Sequence, residues 1–354
     1  MLTAVLMVVA ATAVTACGDS AGDETGSTTA TVELTQAEKN RILGERANVV
    51  LSSINGASSG YPDNLITAEQ LRKIIEDPER ADEVFILDTR PRNEWDEQGH
   101  IEGATWIRMQ DVANDENLAL LPRDKLIVCV SPTGHTANQV CAVLRWLGYD
   151  AVILKHGMAG WIQTPARDLM LTDVNGGIAR QYPVNFVDHG TDPASEEPAM
   201  ELTEPTSEEF PVLVEAAREL LADDVLEKEY PFNHIFADVV YARLQDPASR
   251  DAMVLLDIRP LASRQAAGHI EMGYHYLINW RVLGDPENLS SLPKDKLIVV
   301  IGDTGQTAGQ VTPILRMLGY DAVTLRSGLT SWTRTPDTDD SLASFQRDLP
   351  VVQD

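Results

Sequence analysis

The sequence predicts an α/β fold built twice in tandem, each copy a small parallel sheet flanked by helices on both faces. Three observations lead there. The chain repeats its own motifs, in order, at an offset of 169 to 171 residues. Within each copy, short apolar runs bounded by turn residues alternate with a segment of helical periodicity, the pattern of parallel strands joined by a helix. At 354 residues, with 44% hydrophobic and 23% charged content, the chain can bury two cores.

The repeat fixes domain organisation before local structure is read. Tyr61-Pro62 and Asn64 recur as Tyr230-Pro231 and Asn233, Asp88-Thr89-Arg90-Pro91 as Asp257-Ile258-Arg259-Pro260, and Gly99-His100-Ile101-Glu102 as Gly268-His269-Ile270-Glu271. A two-residue insertion follows. Beyond it Leu121-Pro122 matches Leu292-Pro293, Thr133-Gly134 matches Thr304-Gly305, Leu147-Gly148-Tyr149-Asp150 matches Leu318-Gly319-Tyr320-Asp321, and Trp161 matches Trp332.

In chain order, the first element is the apolar, uncharged stretch 1–16. It is shorter than the roughly 20 residues of a membrane span and suits a secretory signal. Val14-Thr15-Ala16-Cys17 resembles a bacterial lipobox, so Cys17 is expected to be acylated and to anchor an exported chain on the periplasmic or cell-surface side of a membrane. No Lys or Arg precedes the apolar stretch, and an ordinary cleaved signal or an uncleaved anchor stays open. Residues 17–35 then comprise the lipidated cysteine and a flexible tether rich in Gly, Ser, Thr, Asp and Glu.

The first copy is expected at 36–168, with its core at 81–165. Val84-Phe85-Ile86-Leu87 runs to Asp88, and Lys125 to Val130 runs to a turn at Ser131-Pro132-Thr133-Gly134; both read as buried parallel strands. Between Thr136 and Leu147 the apolar residues Val140, Val143, Leu144 and Leu147 follow helical spacing, and Gly148 stops the helix. Ala151 to Leu154 is a third strand, which completes a right-handed crossover. Residues 169–205, acidic and Pro-rich, read as a linker whose stretch 173–185 could also pack back on the first copy. The second copy is expected at 206–346, core 251–336.

The formal charge of −26, from 54 acidic and 28 basic side chains, excludes nucleic acid as a partner, because phosphate binding needs basic surface. An acid excess spread over loops and linkers is most simply a solvated, self-repelling surface.

Asp-x-Arg at a strand end, Gly-His-Ile, Leu-Pro-x-Asp-Lys-Leu-Ile-Val, a loop closing on Gly before a helix, and a distal Gly-x-x-x-Trp occur in this order twice, over roughly residues 81–165 and 251–336. Together they resemble the rhodanese superfamily. The resemblance implies two tandem rhodanese-like domains and, for an active member, sulfane sulfur carried as a cysteine persulfide. Its nucleophile would be the first residue of the strand-to-helix loop, where backbone N–H groups and a helix N-terminus stabilise an anion. Here that position is Ser131 in the first loop and Gly302 in the second. A hydroxyl cannot store a persulfide, so both copies are expected to be catalytically degenerate.

The expected function is therefore binding, of a small anion, a sulfur-bearing ligand or a protein partner, with membrane attachment through Cys17. The loop residues that would do it are Ser131, Thr133, Gly134, His135 and Thr136 in the first copy, and Gly302, Thr304, Gly305, Gln306 and Thr307 in the second. Asp303 would repel an anion, which favours the first loop. Asp88, Arg90 and His100, with Asp257, Arg259 and His269, are expected to support the loops through ion pairs and turn hydrogen bonds. One alternative is a sulfurtransferase using Cys129 or a partner's thiol; another is a purely structural interaction module. Cys129, within a strand, and Cys141, in the following helix, read as buried structural residues that could form a disulfide. A Ser131–His135 hydrolase pair lacks a Gly-x-Ser-x-Gly elbow. Neither a metal nor a cofactor is expected, since His-Glu-x-x-His and Cys-x-x-Cys spacings are missing.

Overall fold

Strands that are apolar along their whole length need cover on both faces, and the chain supplies it twice. A computed structural model describes residues 34–54, 61–186, 201–222, 229–344 and 349–353. The stretch expected to be a signal and lipid anchor, with Cys17, lies outside the described residues, as do residues 187–200 of the expected linker. The first copy comprises α1 (Gln36–Ser53), β1 (Leu65–Ile66), α2 (Ala68–Ile75), β2 (Val84–Asp88), α3 (Arg92–Gln98), β3 (Thr105–Trp106), α4 (Asp115–Leu118), β4 (Leu126–Val130), α5 (His135–Trp146), β5 (Ala151–Leu154) and α6 (Pro165–Arg180). After β6 (Val184–Asn185), the second runs through α7 (Phe210–Ala222), β7 (His234–Ile235), α8 (Ala237–Gln245), α9 (Pro247–Asp251), β8 (Met253–Asp257), α10 (Leu261–Ala267), β9 (His269–Ile270) and β10 (His275–Leu277). It ends with α11 (Trp280–Leu283), α12 (Pro286–Ser291), β11 (Leu297–Ile301), α13 (Ala308–Met317), β12 (Ala322–Leu325) and α14 (Asp337–Ser344).

Both sheets are parallel and five-stranded, in the orders β1-β5-β4-β2-β3 and β7-β12-β11-β8-β10, so equivalent strands occupy equivalent places. Register puts Asp88 opposite Val130 and Asp257 opposite Ile301, each carboxylate beside the start of its strand-to-helix loop. On one face of the first sheet Ile86, Val128, Val130 and Val152 pack with Leu71 and Ile74 of α2 and with Trp161. The second repeats this with Leu255, Val299, Ile301, Val323, Val240, Leu244 and Trp332. Among the described residues, no helix is long and apolar enough to cross a membrane.

The two copies form one unit from Gln36 onward. They meet through α5 and α13, where Gly309 lets the helices approach: a Cβ there would lie 2.5 Å from Asn138 Nδ2. The hydrogen bonds across this seam are reciprocal. Gln139 Nε2 donates to the Phe232 carbonyl at 2.6 Å and Gln139 Oε1 accepts from Asn233 Nδ2 at 3.0 Å. Gln310 Nε2 donates to the Asp63 carbonyl at 2.9 Å and its Oε1 accepts from Asn64 Nδ2 at 3.0 Å. Asp63, Asn64, Phe232 and Asn233 all have φ of 55 or 56°, a left-handed backbone that costs side-chain-bearing residues about 1–2 kcal/mol each. The cross-seam bonds hold them there.

Each copy also lends its trailing segment to the other. Residues 169–180, read from composition as linker, instead continue α6, which Thr164 caps and Met170 and Val174 anchor by burial. Gln181 to Asn185 then pack on the second copy. The Tyr182 N–H donates to the Trp332 carbonyl, Trp332 Nε1 donates to the Pro183 carbonyl, and β6 pairs antiparallel with β9. Reciprocally, the Leu349 N–H donates to the Trp161 carbonyl, Trp161 Nε1 donates to the Pro350 carbonyl, and Val352 exchanges backbone bonds with His100.

Candidate functional site

β4 delivers the chain to Ser131, Gly134 turns it at φ 82°, and α5 begins at His135. The loop folds against the short 3-10 turn Gly157–Gly160: the Met158 and Ala159 N–H groups donate to the Ser131 and Pro132 carbonyls, each at 2.9 Å. A side chain at Gly157, itself left-handed, would collide with the Ser131 carbonyl. Ser131 is fully buried, and its Oγ has no hydrogen-bond partner among the described residues. The second loop repeats the arrangement, with Leu329 and Thr330 N–H groups donating to the Gly302 and Asp303 carbonyls.

The two loops face each other across the seam. His135 Nε2 accepts from the Ser327 N–H at 3.3 Å, and the equivalent residue of the second copy, Gln306, accepts on Oε1 from the His156 N–H at 3.3 Å. Accepting at Nε2 makes Nδ1 the protonated nitrogen of His135, which donates to Thr133 Oγ1 at 2.8 Å. The Gln306 amide lies over Gly134, where a Cβ would come within 2.8 Å of Oε1. Thr133, Gly134, His135, Gly302, Gly305 and Gln306 are buried, while Thr136, Thr304 and Thr307 keep partial exposure.

Histidines collect behind this contact. The His135 and His234 rings meet edge to face at 5.0 Å. Burial, then the Arg326 cation, lower His234 to about 3, and burial with Lys155 lowers His156 to about 3. His135 is held well below the usual histidine value by burial, with His234, Arg326 and His156 adding to the effect. The seam is therefore built from neutral imidazoles.

Asp88 and Arg90 form a fully buried pair at 2.8 Å, and Arg90 also donates to the Gly99 carbonyl, tying the strand end to the turn before His100. His100 stacks on Trp95 at 3.6 Å. Asp257 and Arg259 repeat the pair at 2.6 Å, and Arg259 donates to the Gly268 carbonyl before His269. In the second copy Arg259 also faces Asp303 at 3.6 Å. Burial raises Asp303 to about 6 against the pull of Arg259. No such carboxylate exists in the first loop, where Pro132 holds the place.

Cys129 and Cys141 are both free thiols and fully buried between β4 and α5. Cys141 donates to the Ala151 carbonyl at 3.3 Å. Burial pushes the Cys129 thiol well above its usual value, and its neighbour Cys141 pushes it further. Cys129 sits within β4, ahead of the loop, in register with Leu87 and Ile153.

Against known proteins, the model of the rhodanese-like domain matches residues 67–164 and again 237–335, together more than half of the chain. The chain belongs to the rhodanese-like family. A crystal structure of a Staphylococcus saprophyticus protein is 29% identical, covering 26% of this chain and 87% of that one, with a TM-score of 0.24. A rhodanese-like domain protein of Staphylococcus aureus is 27% identical, covering 27% and 86%, at a TM-score of 0.23. A thiosulfate sulfurtransferase of Pseudomonas aeruginosa is 14% identical over 88% of this chain and 70% of that one, at a TM-score of 0.24. No match was found among curated proteins.

In this rhodanese-like chain the structure brings both loops, with His135 and Gln306, into one seam, and leaves His100 and His269 at the short antiparallel pairings that receive the exchanged tails. Sequence reasoning missed His156 and His234. Their signal was asymmetry: His156 stands where the second copy has Ser327, and His234 where the first has Leu65.

Proposed function

We propose that this chain is an exported, lipid-anchored rhodanese-like protein that binds a partner and does not turn over sulfur. The observation that carries this reading is Ser131: a buried oxygen stands first in a loop whose Gly134 is covered by Gln306 of the opposite domain. A persulfide needs a sulfur atom there, and the second loop offers only Gly302. Cys129 supports the same reading, since a thiol raised by burial supplies almost no thiolate. The test is thiosulfate-to-cyanide transfer by the mature chain, followed by mass spectrometry after exposure to a persulfide donor. Background rates and an unmodified mass are expected. Turnover lost in Cys129→Ser, or one sulfur atom added to Cys129, would make the chain a sulfurtransferase instead. Palmitate labelling that disappears in Cys17→Ser tests the anchor.

One observation favours a second reading, in which the first loop retains a small anion. The Ser131 hydroxyl is unpartnered at the N-terminus of the twelve-residue α5, where amide dipoles favour negative charge. Sulfite, thiosulfate or phosphate at millimolar concentration should then raise the melting temperature, and Ser131→Ala should diminish the rise. An unchanged melting temperature rejects it.

A further inference from the structure

We propose that the first copy carries a binding cavity for one small, neutral, planar aromatic molecule of phenol or indole size. The cavity, of about 370 Å³, lies on the α2 side of the first sheet, on the opposite face from α5 and the buried loops. Ile86, Ile101 and Trp161 form its buried floor; Arg72, Glu76 and Ala81 stand at its rim. Its volume falls in the ordinary range of small-molecule pockets.

The second copy shows what such a space accepts, because there the chain fills it. Tyr241 occupies the place of Arg72, and Tyr182, from the tail lent by the first copy, occupies that of Leu349. The two phenol rings stack at 4.1 Å, parallel to within 1°, and both meet Trp332 edge-on at 4.9 and 5.9 Å. Met272 adds a third filler, packed on the same core. The first copy has no residue for that role, since β3 starts three residues after Glu102, whereas the residue equivalent to Thr105, Tyr276, lies five after Glu271. Gly103 lies at the shortened turn, with open space where a Cβ would stand. Arg72 is directed to Glu76 at 2.7 Å, so its charge is already matched at the rim. Glu102, the remaining charged residue of the lining, is exposed to solvent, so what is left for an occupant is an aromatic-sized gap beside Trp161.

The test is a ligand-observed NMR titration of the whole mature chain with p-cresol and indole, with cyclohexanol as the non-planar probe. Saturable binding of both aromatic probes is expected, with cyclohexanol at least about tenfold weaker. The double variant Arg72→Tyr/Leu349→Tyr, which rebuilds the stack of the second copy, should abolish binding, and Ala81→Phe at the exposed rim should weaken it at least about tenfold. Circular dichroism checks both folds; if the double variant is unfolded, Ala81→Phe decides alone. No saturable binding of the aromatic probes, equal binding of cyclohexanol, or affinity unchanged in a folded variant would overturn the proposal. Any of these leaves the reading of the loops standing, because neither variant touches them.

Discussion

Ser131 and Cys129 stand two residues apart on one strand end, yet the protein treats them differently. Cys129 lies within β4 and is buried beside Cys141 of α5, whereas Ser131 follows the last residue of the strand and opens the loop, where it too is fully buried. The sequence alone suggests that Ser131→Cys would regain a reactive thiol at a helix N-terminus. Complete burial changes the expectation: the new thiol should resist Ellman's reagent in the native protein and react only on unfolding. Rapid native labelling would mean that the seam opens readily. His234 permits a test of the other side of the seam. Its folded value of about 3 lies below the ordinary 6.5, so between those limits the unfolded chain binds more protons and stability falls as pH falls. Each such histidine contributes a slope of up to about 1.4 kcal/mol per pH unit. Asp303, raised to about 6, acts in the opposite sense between 3.8 and 6, so the comparison must be made within one site. Leu65 holds the equivalent place in the first copy, which makes His234→Leu the natural variant. Urea denaturation should show a smaller loss of stability from pH 7 to pH 5 in His234→Leu than in the parent; equal losses would mean that His234 titrates alike in the folded and unfolded chain.

Helices show how far local pattern reaches. The strands at 84–88, 126–130 and 151–154 and the helix 135–146 were legible because apolar runs and 3.6-residue spacing both arise from burial within one copy. The second half of α6 was not, because it also packs on the other copy: Arg180 donates to the Ser331 carbonyl and Asp173 pairs with Arg326 at 3.0 Å. Read alone, Thr172, Asp173, Asn175, Gly176 and Gly177 look like a loop. The same logic hid the seam, since nothing in a list of motifs says that His135 must meet Ser327. Gly177 turns this into a prediction in which two effects compete. Replacing a glycine inside a helix by alanine gains about 1 kcal/mol of propensity. At Gly177, however, a Cβ would collide with the Thr330 carbonyl, and overpacking against backbone costs about 1–3 kcal/mol. Gly44 in α1 has nothing within 4 Å of a Cβ. Thermal melts should therefore show Gly177→Ala destabilised and Gly44→Ala stabilised, the same change with opposite signs. Two variants moving together would mean that α6 does not cross the second copy so closely.

The whole molecule is held by exchange. Besides the tails, the leading helices lie against the opposite copy: Ser52 of α1 donates to the Arg281 carbonyl at 3.5 Å, and Gly284 packs against the Asn48 backbone. In return Arg218 of α7 donates to the Ala113 carbonyl at 2.8 Å and pairs with Asp115 at 2.5 Å. Cutting the chain between the copies would strip each of a leading helix contact, a paired tail segment and the cover over its loop, and would expose the faces of α5 and α13 with the loop before α13, including His135, Asn138, Gln139, Gln306 and Gln310, which are buried in the intact chain. Two linked but independent domains would melt separately, each near its own stability; an exchanged pair can only melt together. The full chain should accordingly give one calorimetric transition whose van't Hoff and calorimetric enthalpies agree. Fragments 36–185 and 206–353 should each be unfolded or aggregated alone, and should recover native circular dichroism when refolded together. Two resolved transitions, or a fragment with its own sigmoidal unfolding curve, would show that the exchanged segments decorate domains already complete.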